Sequence, residues 1–146
     1  MTSFIDFDTI VAMKIKDLSK RKRRFVQLAA RSAEQSRYGA IWHGAVLVRG
    51  GSVLNVTNNK GNYCRFGTRF RERGSGTATL HAELACILNL DRRMTSGGTI
   101  YVVRVGKDGE YKMSKPCAMC EAALKHVGVN RVYYSTNDET LEMIKL

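Results

Sequence analysis

The sequence predicts an α/β protein in which helices cover a β-sheet. Two observations indicate this class. Apolar runs at residues 45–48 and 53–56 flank a short polar link at residues 49–52 that contains two glycines, which is typical of a β-hairpin. Further along the chain, segments with helical spacing alternate with apolar strand-like segments. Such alternation favours a layered architecture with helices packed on a sheet.

The first element is a helix-prone segment at residues 8–36. Phe25, Leu28, Ala29 and Ala33 fall near helical spacing, and Ser19 is suited to cap a helix start. Residues 20–24 of this segment are five consecutive basic residues. A charge run of this kind is a solvated helix face or a phosphate-binding face, and the sequence leaves both open.

Residues 57–79 form a polar, glycine-rich segment without clear periodicity, which predicts a long irregular loop. A loop of this length inside a compact domain is usually functional or disordered. It interleaves aromatic and basic side chains, namely Tyr63, Phe66 and Phe70 with Arg65, Arg69, Arg71 and Arg73. Aromatic rings stack on bases while arginines contact phosphates, so the loop is a candidate contact for single-stranded nucleic acid.

The remaining elements follow in a regular order. Leu80, Leu84, Ile87 and Leu88 give an apolar stripe that predicts a buried helix at residues 81–90. The pattern then predicts, in order, a strand at 100–105, a turn at 106–110, a helix at 118–127, a strand at 131–135, a turn at 137–139 and a short strand at 141–146. No internal repeat and no linker composition interrupts the chain, so we expect one domain over residues 1–146.

The composition is that of a globular protein, with 44% hydrophobic and 25% charged residues. No apolar run approaches the roughly 18 residues of a membrane span, and the first ten residues hold two aspartates and no basic region. We therefore expect a cytoplasmic protein without membrane association. The net charge of +11 attracts phosphate-bearing ligands, although a basic surface can also serve solubility alone.

Two short motifs offer a metal site. His81 lies in His-Ala-Glu, and Cys117 and Cys120 lie in Pro-Cys-Ala-Met-Cys. Positions i and i+3 share one helix face, so the two cysteines can chelate together, and a catalytic zinc site takes three protein ligands and an open position for water. A closed structural site or a redox pair remains an alternative. Cys64 could supply a fourth ligand, whereas Cys86 is expected in the core.

Glu83 lies two residues after His81 and adds a carboxylate to the motif. Zinc lowers the pKa of a bound water towards about 7, and a nearby carboxylate that does not ligate the metal can carry the proton. A purely structural site has no need of this carboxylate. The sequence thus indicates a catalytic zinc site with Glu83 as the proton carrier.

The motif pair H-x-E…P-C-x-x-C is a known signature of zinc nucleobase deaminases. From residue 44 to residue 136 the chain resembles the cytidine deaminase superfamily, through Gly-Ala-Val-Leu-Val at 44–48, both zinc motifs, and Arg-Val-Tyr-Tyr at 131–134. The resemblance implies a three-layer α/β/α fold whose mixed five-stranded sheet carries helices on both faces. It also implies Zn2+ held by His81, Cys117 and Cys120, with Glu83 as the proton shuttle.

The resemblance further implies hydrolytic deamination of the exocyclic amine of a cytosine nucleoside or nucleotide, by a zinc hydrolase acting on a cyclic amidine C–N bond. A substrate-binding asparagine is expected shortly after the hairpin, where Asn59 is favoured over Asn58. Ala82 is expected under the base. His43 is a further candidate for the pocket wall, or a structural histidine. Members of the superfamily self-associate, so we expect a homo-oligomer.

Two alternatives concern the substrate and the class of protein. A His ligand at the first motif resembles the deoxycytidylate deaminases as well as the deaminases of tRNA adenosine and of polynucleotides, which edit nucleic acid. The Pro-Cys-Ala-Met-Cys motif, followed by Glu-Ala-Ala-Leu, resembles the tRNA adenosine group. However, Lys115 stands where the tRNA group usually has Glu. A short antiparallel last strand is the simplest fit to the C-terminal residues and resembles the free cytidine deaminases. The basic run at 20–24 also motivates a non-catalytic, zinc-stabilised nucleic-acid-binding module.

Overall fold

A computed structural model describes residues 11–36, 38–71 and 79–146. The helices are α1 (Lys20–Glu34), α2 (Arg65–Thr68), α3 (Ala82–Ile87), α4 (Arg92–Thr95) and α5 (Ala118–His126), and a 3-10 turn spans Ile15–Asp17. The strands are β1 (Val11–Lys14), β2 (Trp42–Arg49), β3 (Ser52–Asn58), β4 (Lys60–Tyr63), β5 (Thr79–Leu80), β6 (Thr99–Val105), β7 (Tyr111–Lys112), β8 (Arg131–Ser135) and β9 (Thr140–Lys145).

Within these ranges the main sheet has seven strands in the order β1-β9-β8-β6-β2-β3, with β7 paired to β6. β6 and β8 run parallel, and the other pairs of this sheet run antiparallel. The mixed sheet is confirmed, but the expected count of five strands is wrong. The five expected strands are β3, β2, β6, β8 and β9, and β1 and β7 extend them.

Helices cover both faces of the sheet, so the three-layer architecture is confirmed. On one face, α1 packs Phe25, Val26 and Ala29 against β2 and β6. On the other face, α3 and α5 enclose a second cluster with the alternate residues of the same strands. At Gly44 the strand meets the backbone of α1, where a Cβ atom would lie 1.9 Å from the Ala29 carbonyl oxygen.

Helix α1 begins as the sequence predicts, because Oγ of Ser19 accepts a hydrogen bond from the Lys22 amide at 3.2 Å. The helix-prone assignment is wrong for residues 11–17, which form β1 and the 3-10 turn, while residues 8–10 lie outside the described ranges. Val11–Lys14 pairs antiparallel with β9. Backbone pairing to the edge of the sheet thus decides the structure of this segment over its local helix propensity.

The predicted hairpin is confirmed and is longer than the two apolar runs. Gly50 and Gly51 have φ values of 57° and 81°, so both lie in the left-handed region that a tight two-residue turn requires. The longer strands carry β2 and β3 to the end of the sheet where residues 43 and 58–59 lie. This end of the sheet faces the candidate site, because residues 43 and 59 line its cavity.

The prediction of an irregular loop at 57–79 is wrong for much of its length. β3 continues to Asn58, and β4, α2 and the start of β5 occupy further parts of it. Residues 72–78, including Arg73, lie outside the described part of the chain. The rings of Phe66 and Phe70 contact each other edge to face, with their centres 5.2 Å apart, and both rings pack against the core. These two rings therefore contribute to packing rather than to a free stacking platform.

The second half of the chain agrees closely with the sequence pattern. β6, α5 and β8 match their predicted bounds to within one residue, and β9 is antiparallel to β8 as expected. Helix α3 is shorter than predicted, because Leu88 is extended and Asn89 has a φ of 65°. The short α4 was not expected. Among the helices in the described ranges, none combines the length and hydropathy needed to span a bilayer.

Candidate metal centre and active site

The starts of two helices place the candidate ligands. His81 is the residue immediately before α3, and Cys117 is the residue immediately before α5. Both have extended backbone, and neither side chain makes a capping hydrogen bond to its helix. Cys120 lies in the first turn of α5, which packs beside α3 on the same face of the sheet. The sequence motifs are thus brought together because the two helices start side by side.

The three side chains form a compact donor set. Nδ1 of His81 lies 3.2 Å from Sγ of Cys120 and 3.8 Å from Sγ of Cys117. All three donor atoms lie within 4.8 Å of one another. A tetrahedral zinc ion with Zn–S near 2.3 Å and Zn–N near 2.0 Å separates its ligand atoms by about 3.5–3.8 Å. One nitrogen and two sulfurs at these distances therefore fit zinc, with one coordination position left open.

The two thiols share one proton at neutral pH. A hydrogen bond from Cys120, helped by His81, lowers the pKa of Cys117 to about 4. The pKa of Cys120 is raised above its ordinary value, first by that same hydrogen bond with Cys117 and then by burial. A thiolate beside a thiol at a helix start is a pair that zinc can bind by displacing a single proton.

Glu83 lies in the first turn of α3 and is only 5% exposed. Burial raises the pKa of its carboxyl group, and the charge of Cys117 contributes in the same direction. Its side chain does not belong to the donor set of His81, Cys117 and Cys120. A raised pKa makes a carboxylate a stronger proton acceptor than an ordinary one, which suits a proton carrier beside a metal site.

The donor set opens into a cavity of about 520 Å3, which is within the range of small-ligand sites. His81, Cys117 and Glu83 line one side, together with Ala82. Thr57 anchors this side, because its hydroxyl donates to the Ala82 carbonyl at 2.8 Å. The remaining lining residues come from the segment after α1, from β2 to β4, from β5 and from the residue before the Pro-Cys motif: Tyr38, Gly39, Ala40, Ile41, His43, Asn59, Lys60, Thr79 and Lys115.

Asn59 lines the cavity, but its side chain holds the cavity wall. Its Oδ1 accepts from the His43 amide at 2.9 Å, and its Nδ2 donates to the Ile41 carbonyl at 2.9 Å. Its own carbonyl accepts from the Ser36 hydroxyl at 3.0 Å. Asn59 thus ties the end of α1 to the start of β2. Direct contact between Asn59 and a substrate stays a prediction beside this structural role.

Asn58, the second asparagine candidate, does not line this cavity. Its Nδ2 donates to the Ser32 carbonyl of α1 at 3.0 Å, and its Oδ1 accepts from Nζ of Lys60 at 2.6 Å. Its side chain is therefore engaged with α1 and with the neighbouring lysine. Of the two candidates, only Asn59 reaches the site.

His43 lines the cavity from β2, on the sheet face that α3 and α5 cover. Burial lowers the pKa of His43 to about 4, and the positive charges of Arg104 and His81 add to this effect. The imidazole is therefore uncharged at neutral pH and can offer either a hydrogen-bond donor or an acceptor to a polar ligand.

Several cavity residues were not identified as such from the sequence, and three of them carry an aromatic ring or a positive charge. Tyr38, Lys60 and Lys115 line the cavity, and all three are exposed. They belong to no short motif, and they meet only because the end of α1, the start of β4 and the segment before α5 converge. The only sequence signal for any of these three residues was the position of Lys115 directly before Pro116. They add an aromatic side chain and two lysine side chains to the cavity lining, and the Lys60 ammonium group also donates to Oδ1 of Asn58.

The other two cysteines take no part in the donor set. Burial raises the pKa of Cys86 to about 12, and its thiol donates weakly to the Asn55 carbonyl at 3.7 Å, as expected for a core cysteine. Sγ of Cys64 instead accepts from the Gly67 amide at 3.3 Å and caps α2. Among the described residues, the only group of three or more His, Cys, Asp or Glu side chains that could hold a metal is His81, Cys117 and Cys120.

The fold and this donor set define a zinc-dependent hydrolase of the deaminase class. The model of the family described as the cytidine and deoxycytidylate deaminase zinc-binding region matches residues 19–136. Because the match covers most of the chain, the protein belongs to this family. A comparison with curated proteins gives no match.

Proposed function

We propose that the protein catalyses the hydrolytic deamination of a cytosine nucleoside or nucleotide to the corresponding uracil compound. The observation that carries this proposal is the position of Glu83, a buried carboxyl group beside His81, Cys117 and Cys120 in a cavity of about 520 Å3. The volume suits a single nucleoside or nucleotide. A structural zinc site would have no use for a buried carboxyl group, which argues against a non-catalytic binding module.

The residues of the site support a two-proton mechanism. Bound zinc supplies a Lewis acid that acidifies the attacking water. The Glu83 carboxylate accepts a proton from this water and delivers it to N3 of the ring as the water oxygen adds to C4. Glu83 then takes the remaining proton from the C4 hydroxyl group and passes it to the amino nitrogen. The C4 carbonyl forms as the C4–N bond breaks, and ammonia leaves. One water is consumed for each ammonia released.

The entrance of the cavity supports a phosphorylated substrate. Lys60 and Lys115 are exposed and line the cavity, where their ammonium groups can neutralise a phosphate. The exposed ring of Tyr38 is available to pack on a base or sugar. We therefore expect the nucleoside monophosphate to be a better substrate than the nucleoside.

Deamination of a polynucleotide is the second candidate. The same two lysines and the exposed Tyr38 favour it, because a polymer threading past the cavity would meet them. The Phe66 and Phe70 rings do not support deamination of a polynucleotide, because they pack on the core. Cζ of Arg69 also lies 5.8 Å from the centre of the Phe66 ring and 5.7 Å from the centre of the Phe70 ring. The two candidates differ in salt dependence, which is steep for a polymer and shallow for one phosphate.

The deciding experiment measures ammonia release and product mass with the zinc-loaded protein. The panel contains cytidine, deoxycytidine, both monophosphates, single-stranded DNA, RNA, and tRNA with adenosine at the wobble position. Turnover of a mononucleotide with weak salt dependence supports the proposal. Turnover of polymer alone establishes the second candidate. A zinc-loaded protein that turns over no member of the panel contradicts both.

A further inference from the structure

The end of the sheet remote from the cavity carries a cluster of basic side chains, here called the basic end. It consists of Arg21, Lys22, Arg49, Arg92, Arg93 and Arg131. We propose that the basic end binds the phosphodiester backbone of a nucleic acid, at a site separate from the catalytic cavity. This goes beyond the proposed deamination and does not depend on it.

Strand register fixes where the basic end lies. Val48 pairs with Thr99, and Thr99 pairs with Arg131, so Arg49 and Arg131 emerge at the same end of the sheet. His43, on the cavity wall, lies six residues before Arg49 on β2. At about 3.4 Å per residue, this places the cavity wall roughly 20 Å from the basic end. A mononucleotide bound in the cavity cannot span that distance, so a ligand of the basic end is a separate molecule or a polymer.

Four elements far apart in the sequence contribute to the cluster. The guanidinium group of Arg21 occupies the space that a side chain at Gly51 would fill, next to the β2–β3 turn. Nζ of Lys22 lies 5.1 Å from the centre of the Tyr133 ring on β8. Arg49 donates to the Arg93 carbonyl, which links the hairpin to α4. The cluster is therefore assembled by the fold and is more than a basic run in one helix.

The cluster is electrostatically unfavourable for the protein alone. The first turn of α1 contains basic residues and no acidic one, although the positive end of the helix dipole disfavours cations there. Arg93 pairs with Asp91 at 3.1 Å, with both side chains largely exposed. Arg21, Arg49 and Arg131 have no ion-pair partner among the residues that the structure describes. An external polyanion would neutralise these charges.

The chemistry of the cluster favours nucleic acid over an acidic protein. Five of its six members are arginines, whose planar guanidinium groups bind phosphate oxygens in a bidentate manner. A protein partner would instead need an apolar centre in the interface. The large apolar side chains exposed on adjacent segments are Val53 and Met94, each only 37% exposed.

Fluorescence anisotropy with 20-nucleotide RNA, single-stranded DNA and duplex DNA tests the proposal on the full chain. The test variant is Arg21→Gln/Arg49→Gln/Arg131→Gln. Its matched control is Lys16→Gln/Arg31→Gln/Lys107→Gln, which removes the same charge from exposed positions elsewhere. We expect the test variant to bind single strands at least tenfold more weakly in about 0.1 M salt, and the salt slope to fall by about 2. Equal losses in both variants would overturn the proposal.

Two further measurements keep the result interpretable. Arg21→Lys/Arg49→Lys/Arg131→Lys retains the charge and is expected to preserve most of the salt slope. If the triple Gln variant does not fold, Arg131→Glu is compared with Lys107→Glu. We expect Arg131→Glu to bind single strands more weakly than Lys107→Glu does. Stronger binding of poly-glutamate or of phosphatidylserine vesicles than of nucleic acid, with the same dependence on these arginines, would assign the basic end to a different partner and overturn the proposal.

Discussion

Nδ1 of His81 lies 3.2 Å from Sγ of Cys120, although 39 residues separate the two along the chain. The contact joins the residue before α3 to the first turn of α5. Two helices that start side by side thus bring both zinc motifs to one point. Glu83 follows His81 within the same helix start, so the ligand and the proton carrier are positioned by a single element.

Replacing Glu83 by Gln should abolish proton transfer while leaving the metal in place. The amide keeps the shape of the side chain but cannot accept the proton of the attacking water. We expect kcat to fall by about 10²–10⁴-fold with zinc content unchanged. Ammonia release and metal analysis on the same samples provide the measurement. Glu121→Gln, in the first turn of α5 outside the cavity lining, is the matched control. Full activity of the Glu83→Gln protein would refute the assigned role.

Cys120→Ser should lose zinc, whereas Cys64→Ser should keep it. Cys120 contributes a donor atom, while Cys64 caps α2 through the Gly67 amide, a role that a serine hydroxyl also performs. Inductively coupled plasma analysis of the purified proteins should give about one zinc per chain for Cys64→Ser and far less for Cys120→Ser. Zinc loss from both proteins would show that Cys64 takes part in the site.

Alkylation of the metal-free protein should distinguish the cysteines by their pKa values. Cys117, with a pKa of about 4, is a thiolate across the range from pH 6 to 8, so its rate with iodoacetamide should change little with pH. An ordinary thiol would gain about tenfold per pH unit below its pKa. Cys86, with a pKa of about 12, should not react in the folded protein. Mass spectrometry of the peptides reports each site.

Zinc provides the control for this experiment, since the bound metal should protect Cys117 from alkylation. A Cys117 rate that rises steeply between pH 6 and 8 would contradict the lowered pKa.

Asn59→Ala should destabilise the protein more than Asn58→Ala. The buried Asn59 amide joins the His43 amide to the Ile41 carbonyl, and its loss leaves both backbone groups without these partners. We expect a cost of about 1–3 kcal/mol in the free energy of unfolding, measured by urea denaturation. Asn58 is less buried and should cost less. If Asn59→Ala leaves stability unchanged but raises KM, direct substrate binding would be its role instead.

The sequence was most informative where local chemistry and local periodicity agree. The hairpin, β6, α5 and β8 were predicted because apolar spacing and glycine turns act over a few residues. The helix starts at both zinc motifs followed from the same local signals. Ser19 was recognised as a cap for the same reason.

The errors arose where distant segments decide the structure. β1 exists because β9 offers it an open edge, and no local pattern at residues 11–14 indicates that partner. Phe66 and Phe70 pack on the core through contacts with α5, which the alternation of aromatic and basic residues conceals. Tyr38 and Lys60 reach the cavity only through the convergence of α1, β2 and β4.

The two helix starts at the donor set have a consequence for folding. Neither His81 nor Cys117 makes the side-chain capping hydrogen bond that a serine or aspartate would supply at the same position. Metal ligation takes the place of that missing stabilisation, so helix integrity and zinc occupancy are thermodynamically linked. We therefore expect removal of zinc to lower the free energy of unfolding as well as the activity.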